Sequence, residues 1–403
     1  MGQPAPTVTI ESHKASRPNT ASDEPRFVPV QTRSERFTSV DAADFPALSS
    51  SQLEWKYTPI TRVKALAGEP VNGARYEYTV TDETGDALLI EWLDRTDRRI
   101  GAAGKPEERV SANAWTSFSE ALAITVPAGA DGGLTVDRNR FGPEARAAHT
   151  VITAGTGSRA VLIVQNSGSA LLTENLEIVL EDEAQLTVVS VQEWADDAIH
   201  LASHFATLGR GARLKHVVIS LGGSVVRIDP SVHLAATGSD AELLGVYFAD
   251  AGQHLEQRVF VNHDAPHTRS RVNYRGALQG EGARTAWVGD VLIRATAVAA
   301  DTYEQNRNLV LTEGARADSV PNLEIETGDI LAAGHASTTG RFDDEQLFYL
   351  RSRGIPEAEA RRLVVRGFFT ELIASIGQDA LEARLVRAIE TELGMPASGP
   401  PEP

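Results

Sequence analysis

Ten histidines and no cysteine set the terms for any metal or nucleophile chemistry in this chain. Without cysteine there is no disulfide, no thiolate ligand and no cysteine nucleophile. Two histidine pairs have i, i+4 spacing: His200 and His204 in HLASH, and His263 and His267 in NHDAPHTRS. On a helix that spacing aims two imidazoles at one metal. No glutamate follows the first histidine of HLASH, so the zincin pattern is absent, and Pro266 favours a loop for the second pair. Two donors without a third or fourth are weak ground for a metal site, so both pairs read as ordinary strand or loop histidines. His13, His149, His216, His233 and His254 carry no constellation. His335 stands in GDILAAGHASTTG, at the end of a β-type segment, among small residues that leave a ring nitrogen accessible. A neutral imidazole is a competent iron ligand, but one histidine supplies one bond. Local chemistry alone reads it as a turn or capping residue.

Carboxylates two apart, Glu324 with Glu326 and Glu181 with Glu183, would share a strand face. Glycoside hydrolysis needs a set separation across the scissile bond, and a solvated face is the simpler reading. No G-x-x-x-x-G-K-[ST] occurs, so ATP hydrolysis is not expected of this chain, and the glycines of GRGARLKH and LGGSVVR read as turns. A formal net charge of -17 argues against nucleic acid or an anionic membrane as a main partner. The start, MGQPAPTVTIESHKASRPNT, is polar and carries prolines, unlike a secretory leader. No window approaches the ~20 apolar residues of a membrane span. The expected compartment is the cytoplasm.

The elements that must position these residues change along the chain. Residues 1–35 are rich in Ser, Thr, Pro and charge, and read as a disordered tail. Residues 36–133 read as a small N-terminal domain with helical signals, anchored by Trp55 and Tyr57. From 134 to 340 short Val, Ile and Leu runs alternate with Gly, Asn, Asp and Ser breakers. Such runs lie at 160–164, 176–180, 185–191, 214–220, 224–228, 242–247, 257–262, 284–288 and 291–293. Leu176, Ile178 and Leu180 share one face, whereas Leu162, Ile163 and Val164 are apolar on both. These are half-buried and fully buried strands, and no long helix interrupts them. A sandwich, a barrel or a solenoid fits the spacing, but two hundred residues exceed one sandwich of roughly 100. A solenoid stacks rungs about 4.8 Å apart and leaves an open edge at each end to be capped or paired.

After Gly340 the period becomes helical. Asp343 or Asp344 can cap a short helix through Tyr349, and Pro356 suits a first turn. Ala360, Leu363, Val364, Gly367, Phe368, Leu372 and Ile376 form one stripe, which Gly377 ends. Asp379 with Glu382 resembles a capping box for a second helix, whose stripe is Leu381, Leu385, Ala388, Ile389 and Leu393 and whose stop is Gly394. This helical domain spans 341–395, and 396–403 is a second disordered tail.

Several segments in order carry a family resemblance: SQLEWKYTP, NHDAPHTRSRVNYRGAL, WVGDVLIR, TYEQNRNLVLTEGARADSVPNLEI and GRFDDEQLFYLRSRGIPEAEARRLVVRGFF. Over most of 240–394, and more loosely over 36–60 and 134–240, the chain resembles the SufB/SufD family of iron–sulfur cluster assembly proteins, and within it the SufD type. The resemblance implies a mainly β protein, a right-handed parallel β-helix between N-terminal and C-terminal helical segments. It implies a non-enzymatic scaffold, paired end to end with a cysteine-bearing SufB-like paralogue and bound through its C-terminal helices to a SufC-like ABC-type ATPase. A transient cluster at the heteromeric interface would draw on a histidine that maps onto His335, with no cofactor held stably by this chain alone. Binding of a reduced flavin by the assembled complex stays open. ATPase docking falls on Phe348, Tyr349, Leu350, Arg351, Arg353, Leu363, Val364, Phe368 and Phe369. The familiar Cys-Ser-His-Gly around the histidine is here Ala333-Gly334-His335-Ala336, so this side offers no thiolate. Two other readings of the strand pattern are a carbohydrate-active β-helix enzyme and a purely structural solenoid.

Overall fold

The computed structural model describes residues 36–82, 88–342 and 344–393. The expected tails, Asp343 as a cap and Gly394 as a stop lie outside them. The chain opens with a short helix α1 (Ile60–Val63) and strands β1 (Thr79–Asp82) and β2 (Leu89–Asp94), then helix α2 (Arg109–Ser117). Sixteen further strands follow: β3 (Glu120–Val126), β4 (Asp131–Arg138), β5 (Gly142–Ala154), β6 (Arg159–Gly168), β7 (Ala170–Leu180), β8 (Gln185–Trp194), β9 (Ile199–Leu208), β10 (Arg213–Ser220), β11 (Val225–Leu234), β12 (Asp240–Ala249), β13 (His254–His263), β14 (Arg269–Leu278), β15 (Arg284–Ile293), β16 (Asp301–Val310), β17 (Arg316–Ile325) and β18 (Ala332–Arg341). Helices α3 (Asp344–Ser352), α4 (Glu357–Ile376) and α5 (Asp379–Glu392) close the described chain.

Even- and odd-numbered strands segregate. One nine-stranded sheet runs β1-β4-β6-β8-β10-β12-β14-β16-β18, and the other β17-β15-β13-β11-β9-β7-β5-β3-β2. Only the first pairs, β1 with β4 and β2 with β3, are antiparallel. The rest is a mainly β, parallel solenoid of about eight turns with helices at both ends. The strand series begins well before residue 134, and that boundary falls inside β4. The first strands are short and antiparallel to the rungs, so they close the start of the solenoid within its own sheets.

Why many strands are apolar on both faces is plain from what covers them. Alternate residues fill the lumen with Leu122, Ile152, Leu162, Leu172, Ile178, Leu186, Leu214, Ile228, Leu243 and their neighbours. The outer face of the odd-numbered sheet lies under the N-terminal segment, where Trp55, Val63, Leu66 and Val110 meet Leu201 and Val225. The outer face of the even-numbered sheet lies under α4 and α5, where Val365, Phe369, Leu372, Ile373, Ile376, Leu385 and Ile389 meet Val189, Val191, Val217, Ile219, Val246 and Phe248. Polar clamps fix these helices to the sheet. Lys215 Nζ donates to Ser375 O at 2.7 Å, Arg275 Nη1 to Phe368 O at 2.8 Å and Gln279 Nε2 to Glu392 O at 2.8 Å.

The helix boundaries follow the sequence closely, with two shifts. Pro356 is the N-cap of α4 rather than its first helical residue, and Gly377, at φ 74°, ends it in the left-handed region that glycine tolerates. Gln378, not Asp379, caps α5.

Candidate functional site

At the C-terminal end of the solenoid the cover stops. Strand β16 alternates buried and partly or fully exposed residues, and β17 and β18 contain no fully buried residue. β17 and β18 are the edges of their sheets, with a strand neighbour on one side only. Here the lumen is polar. Asn306 Nδ2 donates to Tyr247 OH at 2.8 Å, Tyr247 OH donates to Asn308 Oδ1 at 2.6 Å, and Asn308 Nδ2 donates to Asn306 Oδ1 at 2.7 Å. Ser319 Oγ donates to Asn306 Oδ1 at 2.8 Å, and Ser337 Oγ to Ser319 Oγ at 2.8 Å, which ties the last turn to the rung below.

His335 belongs to this end. It lies within β18, not at a turn, because the strand continues to Arg341. Its register partner on β16 is Glu304. The side chain of His335 is 43% exposed and that of Glu304 is 1% exposed, with Nδ1 of the ring 3.8 Å from Oε1 of the carboxylate. Gly334 carries no side chain, and a Cβ there would meet the ring of Tyr303 at 3.3 Å. The ring therefore stands at the open mouth, half in solvent, backed by a buried acid. Sequence reading passed over Glu304, although it stands one turn of 31 residues before His335.

The paired histidines and His149 take structural positions. HLASH is strand β9, where i, i+4 spacing covers ~13 Å, too far for one metal. Both side chains point into the lumen. His200 Nε2 lies 2.8 Å from Glu174 Oε1, and Arg138 holds that carboxylate through Nη1 at 2.6 Å and Nη2 at 2.9 Å. Burial opposes the Glu174 charge, but Arg138 and the His200 hydrogen bond outweigh it and hold its carboxyl well below the usual range. His204 Nδ1 lies 2.9 Å from His216 Nε2. Burial pulls His216 down to about 4 and His204 well below its ordinary value, so both rings are neutral. His263 is buried between Thr268 and Ser270, and His267 occupies a turn at φ 58°. His149 Nε2 meets Glu177 Oε1 at 2.8 Å, on a carboxylate that also accepts from the backbone of Gly101 and Ala103.

Of the paired carboxylates, Glu181, Glu183 and Glu326 serve turns, and Glu324 lies within β17. Glu181 accepts from Thr156 N at 2.9 Å, Glu326 accepts from Ala295 N at 3.1 Å, and Glu183 lies 3.4 Å from Arg210. Among the described residues no group of three or more His, Cys, Asp or Glu could hold a metal ion, and no helix is long and apolar enough to cross a membrane.

Beside the mouth, α3 and α4 present a mixed surface. Phe348 is 74% exposed, Tyr349 and Leu363 are exposed, and Arg353 lies over the Tyr349 ring at 5.2 Å. Arg351 and Glu357 pair at 3.3 Å on the same exposed side. Leu350, Val364 and Phe368 are half-buried. Phe369 is buried under α4 and has no face to offer a partner. The inward stripe of α4 is Ala360, Val365, Phe369, Leu372, Ile373 and Ile376, turned from the one expected. Leu363 and Gly367, expected inside, are exposed. Apolar residues nearly encircle this helix, so the sheet patch it lands on selects the buried side.

Comparison with known proteins finds relatives along most of this chain. The model of the SufBD core domain, described as SUF system FeS cluster assembly, matches residues 136–368. A Mycobacterium bovis protein named iron-sulfur cluster assembly SufBD family protein is 48% identical over 371 residues, 90% of this chain and 93% of the relative. Its Mycobacterium leprae counterpart is 46% identical over 367 residues, 89% of this chain and 93% of the relative. A second M. leprae protein of the same family name is 28% identical over 250 residues, 60% of this chain but 28% of that longer protein.

Proposed function

Because the chain belongs to the SufB/SufD family of iron–sulfur cluster assembly proteins, we propose that it is the SufD-type, non-enzymatic scaffold subunit of a cytoplasmic assembly complex. The observation that carries this reading is the half-exposed His335 on an edge strand of the last turn, beside a second open edge. One imidazole is one ligand. With no three-donor cluster among the described residues, the remaining donors come from another chain. The open edges of β17 and β18 give a paralogue a row of backbone donors and acceptors to extend both sheets. Two relatives of different length in M. leprae are in keeping with such a pair. The thiolates come from that partner, since this chain has none.

The ATPase takes the exposed helical face around Phe348, Tyr349, Arg353 and Leu363, next to that edge. Because α4 is clamped to β10 and β14, a shift of the helices reaches the strands that lead to the mouth. Cargo iron and sulfide then meet at the heteromeric seam, with His335 releasing its single bond as the seam opens.

Co-expression of this chain with a cysteine-bearing paralogue and an ABC-type ATPase, sized by light scattering, tests the proposal. A stable three-component complex that loses only the ATPase on deletion of 342–403 supports it. A monomer that ignores both partners overturns it.

A further inference from the structure

His335 could present either ring nitrogen to cargo iron, and which one it presents is decided by what the other nitrogen meets. We propose that Glu304 is the positioning residue for His335: its carboxylate favours the tautomer that carries a proton on Nδ1, as the acceptor for that N–H, and so leaves the Nε2 lone pair free at the open mouth. The inference deepens the reading of His335 as an iron ligand and rests on it for its purpose, but not for its geometry.

Three observations carry it. Glu304 and His335 are register partners on adjacent strands, so the backbone ladder itself brings them together. Nδ1 faces Oε1 at 3.8 Å, roughly 1 Å beyond a hydrogen bond, a gap that a small rotation of the half-exposed ring closes. Room for the acid is built in. Gly289 on β15 lies beneath it, and a Cβ there would meet Glu304 Oε2 at 2.4 Å and Trp287 Cη2 at 2.3 Å. The result is a carboxylate–histidine pair aimed at the seam, with the acid shielded and the imidazole half in solvent.

The test reads the tautomer of His335 in the isolated full chain, labelled with 15N-histidine, at pH 8, above the ordinary imidazole range. His335→Ala identifies the signal. Wild type is expected in the Nδ1–H form. Glu304→Leu is expected to invert the 15N pattern to Nε2–H, and Glu304→Gln, which can still accept through its amide oxygen, to give an intermediate pattern. Gly289→Ala keeps both side chains and is expected to shift the pattern toward Nε2–H by displacing the acid. Far-UV circular dichroism verifies the fold of each. A wild-type ring in the Nε2–H form, or a pattern that none of the three variants moves, overturns the proposal. In the co-expressed complex, Glu304→Leu is expected to lower cluster yield about 10- to 100-fold. If the tautomer responds while His335→Ala leaves cluster yield intact, the pair stands and the iron-ligand reading of His335 falls.

Discussion

The early and middle rungs of the solenoid and its last turn belong to the same two sheets, yet they differ in cover. In the first region both outer faces are roofed, one by the N-terminal segment and one by α4 and α5. Its lumen is mainly apolar and its polar groups are sealed: Arg138, Asn166, Glu174, Gln192 and His200 bond to one another in one node, and His204 meets His216. In the second region β17 and β18 are bare, the lumen is polar, and one histidine reaches solvent. The same residue types therefore mean different things. An acid–histidine pair among closed rungs is a structural fastening, and the one at the open edge is, in the proposed function, a binding group. Donor type did not separate His200 from His335; distance from the end of the ladder did.

The largest effect that would sharpen this contrast is in the sealed node. Glu174→Ala leaves the Arg138 charge buried and uncompensated, and should cost about 3–5 kcal/mol in chemical denaturation. A change under ~1 kcal/mol would mean that the node is not closed. Phe369→Ala, under α4, should cost a similar ~3–5 kcal/mol and loosen the helical cover.

The neutral histidines give the closed region an acid sensitivity. An unfolded imidazole titrates near ~6.5, and folded His216 near about 4. Between those values the unfolded chain binds more protons, so stability is complete above pH ~6.5 and declines as the pH falls toward 4, by about 3 kcal/mol for this one ring. Denaturation at pH 7 and pH 4.5 should show the decline, and His216→Asn should flatten it. An unchanged slope in the variant would remove His216 from the effect.

The smallest effect on stability is expected at the exposed face. Phe348→Ala with Tyr349→Ala should change stability by less than ~0.5 kcal/mol each, yet abolish co-purification of the ATPase. Retention of the ATPase would place its docking surface elsewhere.

Much of the architecture was legible in the pattern of the chain. Runs apolar on both faces, such as Leu162 to Val164, signalled strands roofed from outside, and Gly377 marked the end of α4. Less legible was which side of α4 turns inward, because Leu363, Val364, Val365, Phe368 and Phe369 leave little asymmetry to read. The strands before 134 were less legible because β1 and β2 are short and only their pairing reveals them as part of the sheets. Glu304 escaped notice because the signal linking it to His335 is the rung length, which varies from turn to turn and emerges only with the register. His200 and His204 read as ordinary strand or loop histidines, and the strand does space them apart.

The central claim is that the open end does the work and the closed rungs only hold it. The most direct measurement is iron and sulfide content of the co-purified three-component complex, with wild-type chain and with His335→Ala. The account predicts an intact complex and unchanged melting temperature in the variant, with cluster content reduced at least about 10-fold. Full cluster content in an intact His335→Ala complex would contradict it.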